Sequence, residues 1–251
     1  MPSFPARAVV LRTFRLGEAD RIVVLLSAEG RQIRAVAKGS RKSLSRLAGR
    51  VQPYVVGDLL IAVGRSLDVI SEMEVLSAHD ALRSDLDRCA GASAVSELAD
   101  RLTSDSSDEP PIYELTVATL DAMETSGPEG TLVVAAAYYA KALAMHGWRP
   151  QLAACASCGG RVSGGRFSAV EGGVLCLDCQ DRDPTAPAID EATRTLVLTL
   201  LRSRFAELAE LHADPLTVRR ALLLLRDFAA YHVGSRLKAP DFLLGLPGRQ
   251  D

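Results

Sequence analysis

Asparagine does not occur in this chain of 251 residues, aromatic residues make up only 5% of it, and lysine is scarce beside arginine. The arginine bias reads as genomic base composition more than as adaptation, because arginine replaces lysine at most solvated positions. No apolar run reaches the length of a membrane span. The start, Met1-Pro-Ser-Phe-Pro5, has no basic segment leading into an apolar one, so no secretory leader is expected and a cytoplasmic address follows. Glycine never directly precedes lysine, and Lys38-Gly39 has the reverse order, which removes the phosphate-loop motif and argues against an ATPase. None of His79, His146, His212 and His232 has glutamate one or two residues later, which removes the signatures of zinc hydrolases and zinc deaminases. The pair Glu72 and Glu74 suits a solvated strand face, and Glu207 and Glu210 have the spacing of any exposed helix face. No catalytic residue is expected, and the chain reads as a non-enzyme. It has no internal repeat and no low-complexity tract.

What is present is sharper. Four of the five cysteines form two pairs, Cys155-Ala-Ser-Cys158 and Cys176-Leu-Asp-Cys179, with seventeen residues between them. A two-residue spacer lets each pair turn both sulfurs toward one ion, and four thiolates suit tetrahedral Zn(2+). Gly159-Gly160, Gly164-Gly165 and Gly172-Gly173 supply the turns. Two disulfides are the alternative, disfavoured by the missing leader and by the odd fifth cysteine, Cys89, in a helical pattern. One structural zinc per chain is expected at Cys155, Cys158, Cys176 and Cys179, closed to substrate because all four positions are filled.

The net charge of −2 conceals a polarised chain. Residues 1–80 hold twelve Lys/Arg against eight Asp/Glu, leaving seventeen against twenty-three for the rest. Residues 31–50 carry seven basic residues and no acidic one. Such a row repels itself unless a polyanion faces it, and a nucleic-acid backbone is the natural partner, against the plainer reading of a solvated loop.

Short alternating segments at 7–14, 21–26, 32–37, 55–62 and 67–75 predict five strands, with a long basic connection after Gly39. Five strands in about 80 residues suit a small closed barrel of the OB type, although an SH3-like barrel has the same strand count. From residue 81 the period becomes helical. Leu82, Leu86, Cys89, Ala92, Val95, Leu98 and Leu102 mark one face, with Cys89 expected in the core. A polar loop over 104–111 precedes a helix to about Thr125. The next helix carries Leu132, Ala136, Tyr139 and Leu143 and stops at Gly147. Asp190 caps a helix through about Leu211, and Asp214-Pro215 starts another that ends near Gly234. The expected class is α+β multidomain: an OB-fold nucleic-acid-binding domain over 1–80, a helical domain over 81–150 and 184–251, and a zinc finger over 151–183.

These residues coincide, in order and spacing, with the pattern of a known family. Gly17-Glu-Ala-Asp20, Ala37-Lys-Gly-Ser-Arg-Lys42 with Ser45-Arg46, Gln52-Pro53, Tyr138-Tyr-Ala-Lys141, Gly147-Trp-Arg-Pro150 and the four cysteines together resemble the bacterial RecO family of DNA repair proteins over about residues 5–180. The resemblance implies an N-terminal OB-fold, a helical domain with a zinc finger, and a recombination mediator of the RecF pathway. Such proteins bind single- and double-stranded DNA, anneal complementary strands, contact RecR and the single-strand-binding protein SSB, and help RecA onto SSB-coated DNA without using nucleotide. On this reading Arg34, Lys38, Arg41, Lys42, Arg46 and Arg50 contact phosphates, Arg12 and Arg15 extend the track, and Phe14 and Tyr54 are the aromatic residues available for base stacking. A groove edged by Lys141 or Arg149 would receive the acidic, apolar tail of SSB. An RNA- or ribosome-associated zinc protein would use the same barrel and loop.

Overall fold

Alternation of apolar and polar side chains sends successive residues to opposite faces of a strand, and here both faces are used. In the computed structural model, which describes residues 2–106, 110–208 and 211–245, the strands are β1 (Ser3–Leu16), β2 (Asp20–Ser27), β3 (Gln32–Ala37), β4 (Val56–Ala62) and β5 (Asp68–Ser77). They close in the order β1-β2-β3-β5-β4, with β1 antiparallel to β4 and β3 parallel to β5. This connectivity is that of an OB barrel and removes the SH3-like alternative. Strand β1 pairs with β4 through its first half and β2 through its second, turning at a register shift between Val10 and Arg12.

Val10, Val23, Leu25, Ala35, Ile61 and Met73 fill the barrel. Their neighbours Val9, Leu11, Val24 and Leu26 point outward, yet they are also buried, because they join the core of the helical half. That half comprises α1 (Asp80–Ser84), α2 (Leu86–Leu102), α3 (Pro110–Thr125), α4 (Pro128–Met145), α5 (Glu191–Arg202), α6 (Phe205–Leu208), α7 (Pro215–His232) and α8 (Ala239–Leu243). The hairpin of β6 (Arg166–Ser168) and β7 (Gly173–Leu175) lies between α4 and α5.

Three sequence expectations change here. The stripe from Leu82 to Leu102 is not one helix: Asp85 is extended and its carboxylate accepts from Arg88 N at 2.9 Å, starting α2 afresh. Leu86 therefore sits in the first turn, 70% exposed, and Cys89 is only half-buried. Helix α4 has no single apolar stripe, since every residue from Val133 to Ala140 is buried. Its alanines let α2, α3, α5 and α7 approach from several sides. Gly91 of α2 serves the same packing, for a Cβ there would lie 2.6 Å from Thr131 Cγ2. The helix begun by Asp190 ends at Arg202, and Glu207 then accepts from Arg204 N at 2.8 Å to start α6. Residues 107–109 of the polar loop and Glu210 lie outside the described residues.

Candidate nucleic-acid face and metal centre

The outer side of β1-β2-β3 carries one row at the edge of the helical contact and one beyond it. Arg12 pairs with Val24 and Val24 with Arg34, and Phe14 pairs with Ile22 and Ile22 with Val36. Phe14 is 45% exposed, and the Arg12 guanidinium lies over its ring, 4.9 Å from the centroid. Arg12 is also tied down. Asp100 of α2, its side chain buried, takes one guanidinium nitrogen at 2.7 Å. The same residue accepts twice from Gln32 Nε2, and Arg34 Nε donates to Gln32 Oε1 at 3.1 Å. Arg12 and Arg34 thus belong to one polar network at the junction of barrel and helices, where a phosphate would compete with a carboxylate for Arg12. Tyr54 does not line this face. It is 5% exposed in the junction core, with its hydroxyl 2.8 Å from Ser93 Oγ, so it offers no ring to a base.

The connection between β3 and β4 is built, not slack. Gly39 N donates to Asp20 Oδ1 at 2.7 Å, Arg41 N donates to Ala19 O, and Arg41 Nη1 donates to Gly17 O. Gly17 and Gly39 both take positive φ, at +55 and +65°, which suits glycine. Two sequence blocks some twenty residues apart are therefore one contact. Arg21, which the sequence did not single out, reaches Ser40 O and Ala48 O from β2; its signal was its place beside Gly17-Glu-Ala-Asp20. Leu47 and Val51 anchor the rest of the loop in the barrel core.

The predicted cations separate around this loop. Arg15, Lys38, Lys42 and Arg46 are exposed, and among the described residues their side chains have no ion-pair or hydrogen-bond partner. Arg41 is held at the β1-β2 turn. Arg50 donates to Met73 O at 2.7 Å and, with Arg46, borders a groove of about 910 Å³ that also contains Asp58, Glu72 and Glu74. Carboxylates make that side less hospitable to phosphate than the side of Lys38, Arg41 and Lys42.

The four cysteines meet. Their sulfurs all lie within 4.8 Å of one another, with Cys155 and Cys176 buried and Cys158 exposed. Cys158 and Cys176 are 3.8 Å apart and are not a disulfide. Zinc–thiolate bonds of about 2.3 Å give a tetrahedral edge near 3.8 Å, so the donor set fits zinc in number, softness and spacing. Each pair turns as its spacing requires: Gly159 N donates to Cys155 O at 2.9 Å and Cys179 N to Cys176 O at 3.1 Å. Burial acts to raise the Cys155 thiol, but backbone donors of Cys158, Cys176 and Ser157 outweigh it and bring it to about 6. The Cys176 side chain, with burial, pushes Cys179 up to about 12. A bound dication would favour the thiolate form at every position. The finger is stitched to the bundle. Val174 N donates to Gln151 O at 2.8 Å, and Phe167 meets Phe228 of α7 edge-on at 5.4 Å.

Lys141 is half-buried on α4, its Nζ 3.4 Å from Leu201 O at the end of α5. Burial holds its pKa below the ordinary lysine value, opposed by Glu207 and reinforced by Arg149. Arg149 is exposed just past the turn where Trp148 stacks on His232 at 5.0 Å. The two cations therefore share one corner of the bundle.

Comparison with known proteins matches both halves. The family model described as "Recombination protein O N terminal" covers residues 1–79, and "Recombination protein O C terminal" covers residues 83–241. The "DNA repair protein RecO" of Bifidobacterium adolescentis is 34% identical over 239 residues, covering 93% of this chain and 96% of the relative. That of Cutibacterium acnes is 34% identical over 248 residues, covering 97% and 99%. That of Anaeromyxobacter dehalogenans is 36% identical over 239 residues, covering 94% and 93%.

Proposed function

The chain belongs to the recombination protein O family of DNA repair proteins, and from that membership we propose that it is a non-catalytic recombination mediator. It binds single- and double-stranded DNA, anneals complementary strands and, with RecR, helps RecA onto SSB-coated DNA. The observation that carries the DNA half is the pinned β3-β4 loop, which presents Lys38 and Lys42 with no side-chain partner among the described residues and Arg46 at the rim of the groove that holds Asp58, Glu72 and Glu74. Arg15 stands at the adjoining hairpin and Arg41 between them. Phosphates release counterions as these cations approach, so affinity is high, sequence-tolerant and steeply salt-dependent. Two strands neutralised on one surface repel each other less, which lets annealing proceed without ATP. Arg34 and Arg12 extend the track only where phosphate displaces Gln32 and Asp100. Arg50 holds the loop against β5.

Cys155, Cys158, Cys176 and Cys179 hold one zinc ion, which braces the finger and takes no part in strand exchange. Lys141 and Arg149 mark the corner where the acidic tail of SSB docks.

The test is charge reversal at Arg41 and Lys42, which vacates no core volume. Salt-titrated fluorescence anisotropy on oligonucleotides of unrelated sequence should show weaker binding, with the slope of log K against log salt reduced by roughly 0.7 for each single-strand phosphate that is no longer neutralised. An unchanged slope would place the DNA elsewhere.

A further inference from the structure

At the tip of the β3-β4 loop stands a leucine that phosphate binding does not explain. Leu44 is 96% exposed, more than any other large apolar side chain among the described residues. A lone exposed leucine needs no explanation by itself; this one stands on a constrained support. Successive turns close from Lys42 N to Gly39 O, from Ser45 N to Lys42 O and from Ala48 N to Ser45 O. Arg21 Nη1 lies 3.5 Å from Ser40 O and 3.4 Å from Ala48 O, on either side of Leu44. The next two large apolar residues, Leu47 and Val51, turn into the barrel core. The loop therefore buries apolar side chains wherever its geometry allows, and it holds Leu44 out.

Leu44 is also set among charge. Lys42 and Arg46 flank it two residues away on each side, both exposed and without side-chain partners among the described residues, and Arg41 is pinned at the neighbouring β1-β2 turn. That hairpin carries two further exposed apolar residues, Phe14 and Leu16. A protein partner would need anions beside its apolar residues, as an acidic, apolar peptide has, but the row of unpaired cations along the same loop favours a continuous polyanion. A nucleic-acid strand supplies both, anions along its backbone and apolar faces on its bases, at the short spacing that separates Leu44 from its flanking cations.

We propose that Leu44 is a base-contacting residue: the flanking cations grip the phosphates of a single strand while the leucine packs on an unstacked base. This rests on the DNA-binding reading above and gives that site a means of preferring strands whose bases are open, the form that annealing consumes. Backbone preorganisation of the loop lets the leucine engage a base without ordering the loop first.

Three variants and two ligands test it. Anisotropy is measured for wild type, Leu44→Ala and the Arg41→Glu/Lys42→Glu double variant, on an oligothymidylate and on an abasic strand of equal length and charge. Leu44→Ala should weaken binding to oligothymidylate by about three- to tenfold, the effect of removing a few buried methyl and methylene groups, with an unchanged salt slope. It should leave abasic binding as it was. The double variant should lose affinity on both strands and lower the slope. In Leu44→Trp, emission above the wild-type background from Trp148 should be quenched by oligothymidylate and not by the abasic strand. Equal losses for Leu44→Ala on both strands would assign the leucine to loop geometry and overturn the proposal. So would unchanged affinity on both, or an unquenched tryptophan at saturation. Absence of wild-type binding to either strand would instead overturn the DNA-binding reading, and this inference with it.

Discussion

Cys158 is the exposed member of the cysteine cluster, so its replacement by serine removes a ligand without opening a cavity. Where metal affinity is also folding free energy, zinc content and thermal stability should fall together in Cys158→Ser. Elemental analysis beside a thermal melt measures both. A metal-free wild type of full stability would overturn the assignment. Other residues were harder to place from type alone. Arg12 and Lys42 are both cations in the basic half, yet Arg12 is neutralised by a buried Asp100 and Lys42 by no carboxylate among the described residues. Tyr54 has the chemistry of a stacking residue but lies in a core. It takes φ +74° and accepts at its carbonyl a hydrogen bond from Nδ1 of His79, itself at φ +47°. Two L-residues in the left-handed region cost free energy, and here they lie back to back where β4 begins and the first helix starts.

At the level of elements, start signals were the most readable feature. Asp190 accepts from Thr193 N at 2.7 Å and Asp214 from Thr217 N at 2.8 Å, as their positions before α5 and α7 require. Backbone donation from Thr193, with Arg220 behind it, holds the Asp190 carboxyl below its ordinary range. A folded-state pKa lowered in this way stabilises the protein above the unfolded value near about 3.9, and the contribution is lost as pH falls through the folded value. Asp190→Ala should therefore cost about 1 kcal/mol at pH 7, a drop of about 2–4 °C in melting temperature. The difference from wild type should shrink below about pH 4. Thermal melts across pH measure it, and a constant difference down to pH 2 would exclude the cap. Helix ends were less legible. The break at Asp85 and the stop at Arg202 depend on local caps within otherwise helical patterns, and α4 hides its polarity because it is surrounded.

For the whole molecule, the barrel's outward Val9, Leu11, Val24 and Leu26 and the helical core are one continuous apolar body. Asp100 and Gln32 add polar ties across the same junction. The basic β3-β4 loop and the corner of Lys141 and Arg149 are then fixed relative to each other. Annealing of complementary oligonucleotides should proceed without ATP, persist on SSB-coated strands and fall sharply when SSB lacks its acidic tail. Lys141→Glu should impair coated-strand annealing while sparing naked strands, read by a fluorescence-quench annealing assay. Equal loss on both would move Lys141 onto the DNA surface or into a structural role.

The order of five strands, the change to helical period after residue 80, the two paired cysteine motifs and the basic loop were determined by sequence alone, because each rests on local spacing: period two, period 3.6, two-residue knuckles and an uncompensated run of charge. Family membership was legible for the same reason, in motifs read one after another along the chain. Tertiary structure decided which barrel the strands close and which cations remain unpaired. It also placed Tyr54 inside, set Arg21 as the staple of the loop and left Leu44 outside. Those outcomes depend on which distant residue lies opposite, such as Asp100 to Arg12 or Asp20 to Gly39, and one-dimensional spacing carries no record of partners brought together by closure of the barrel and its packing on the helices.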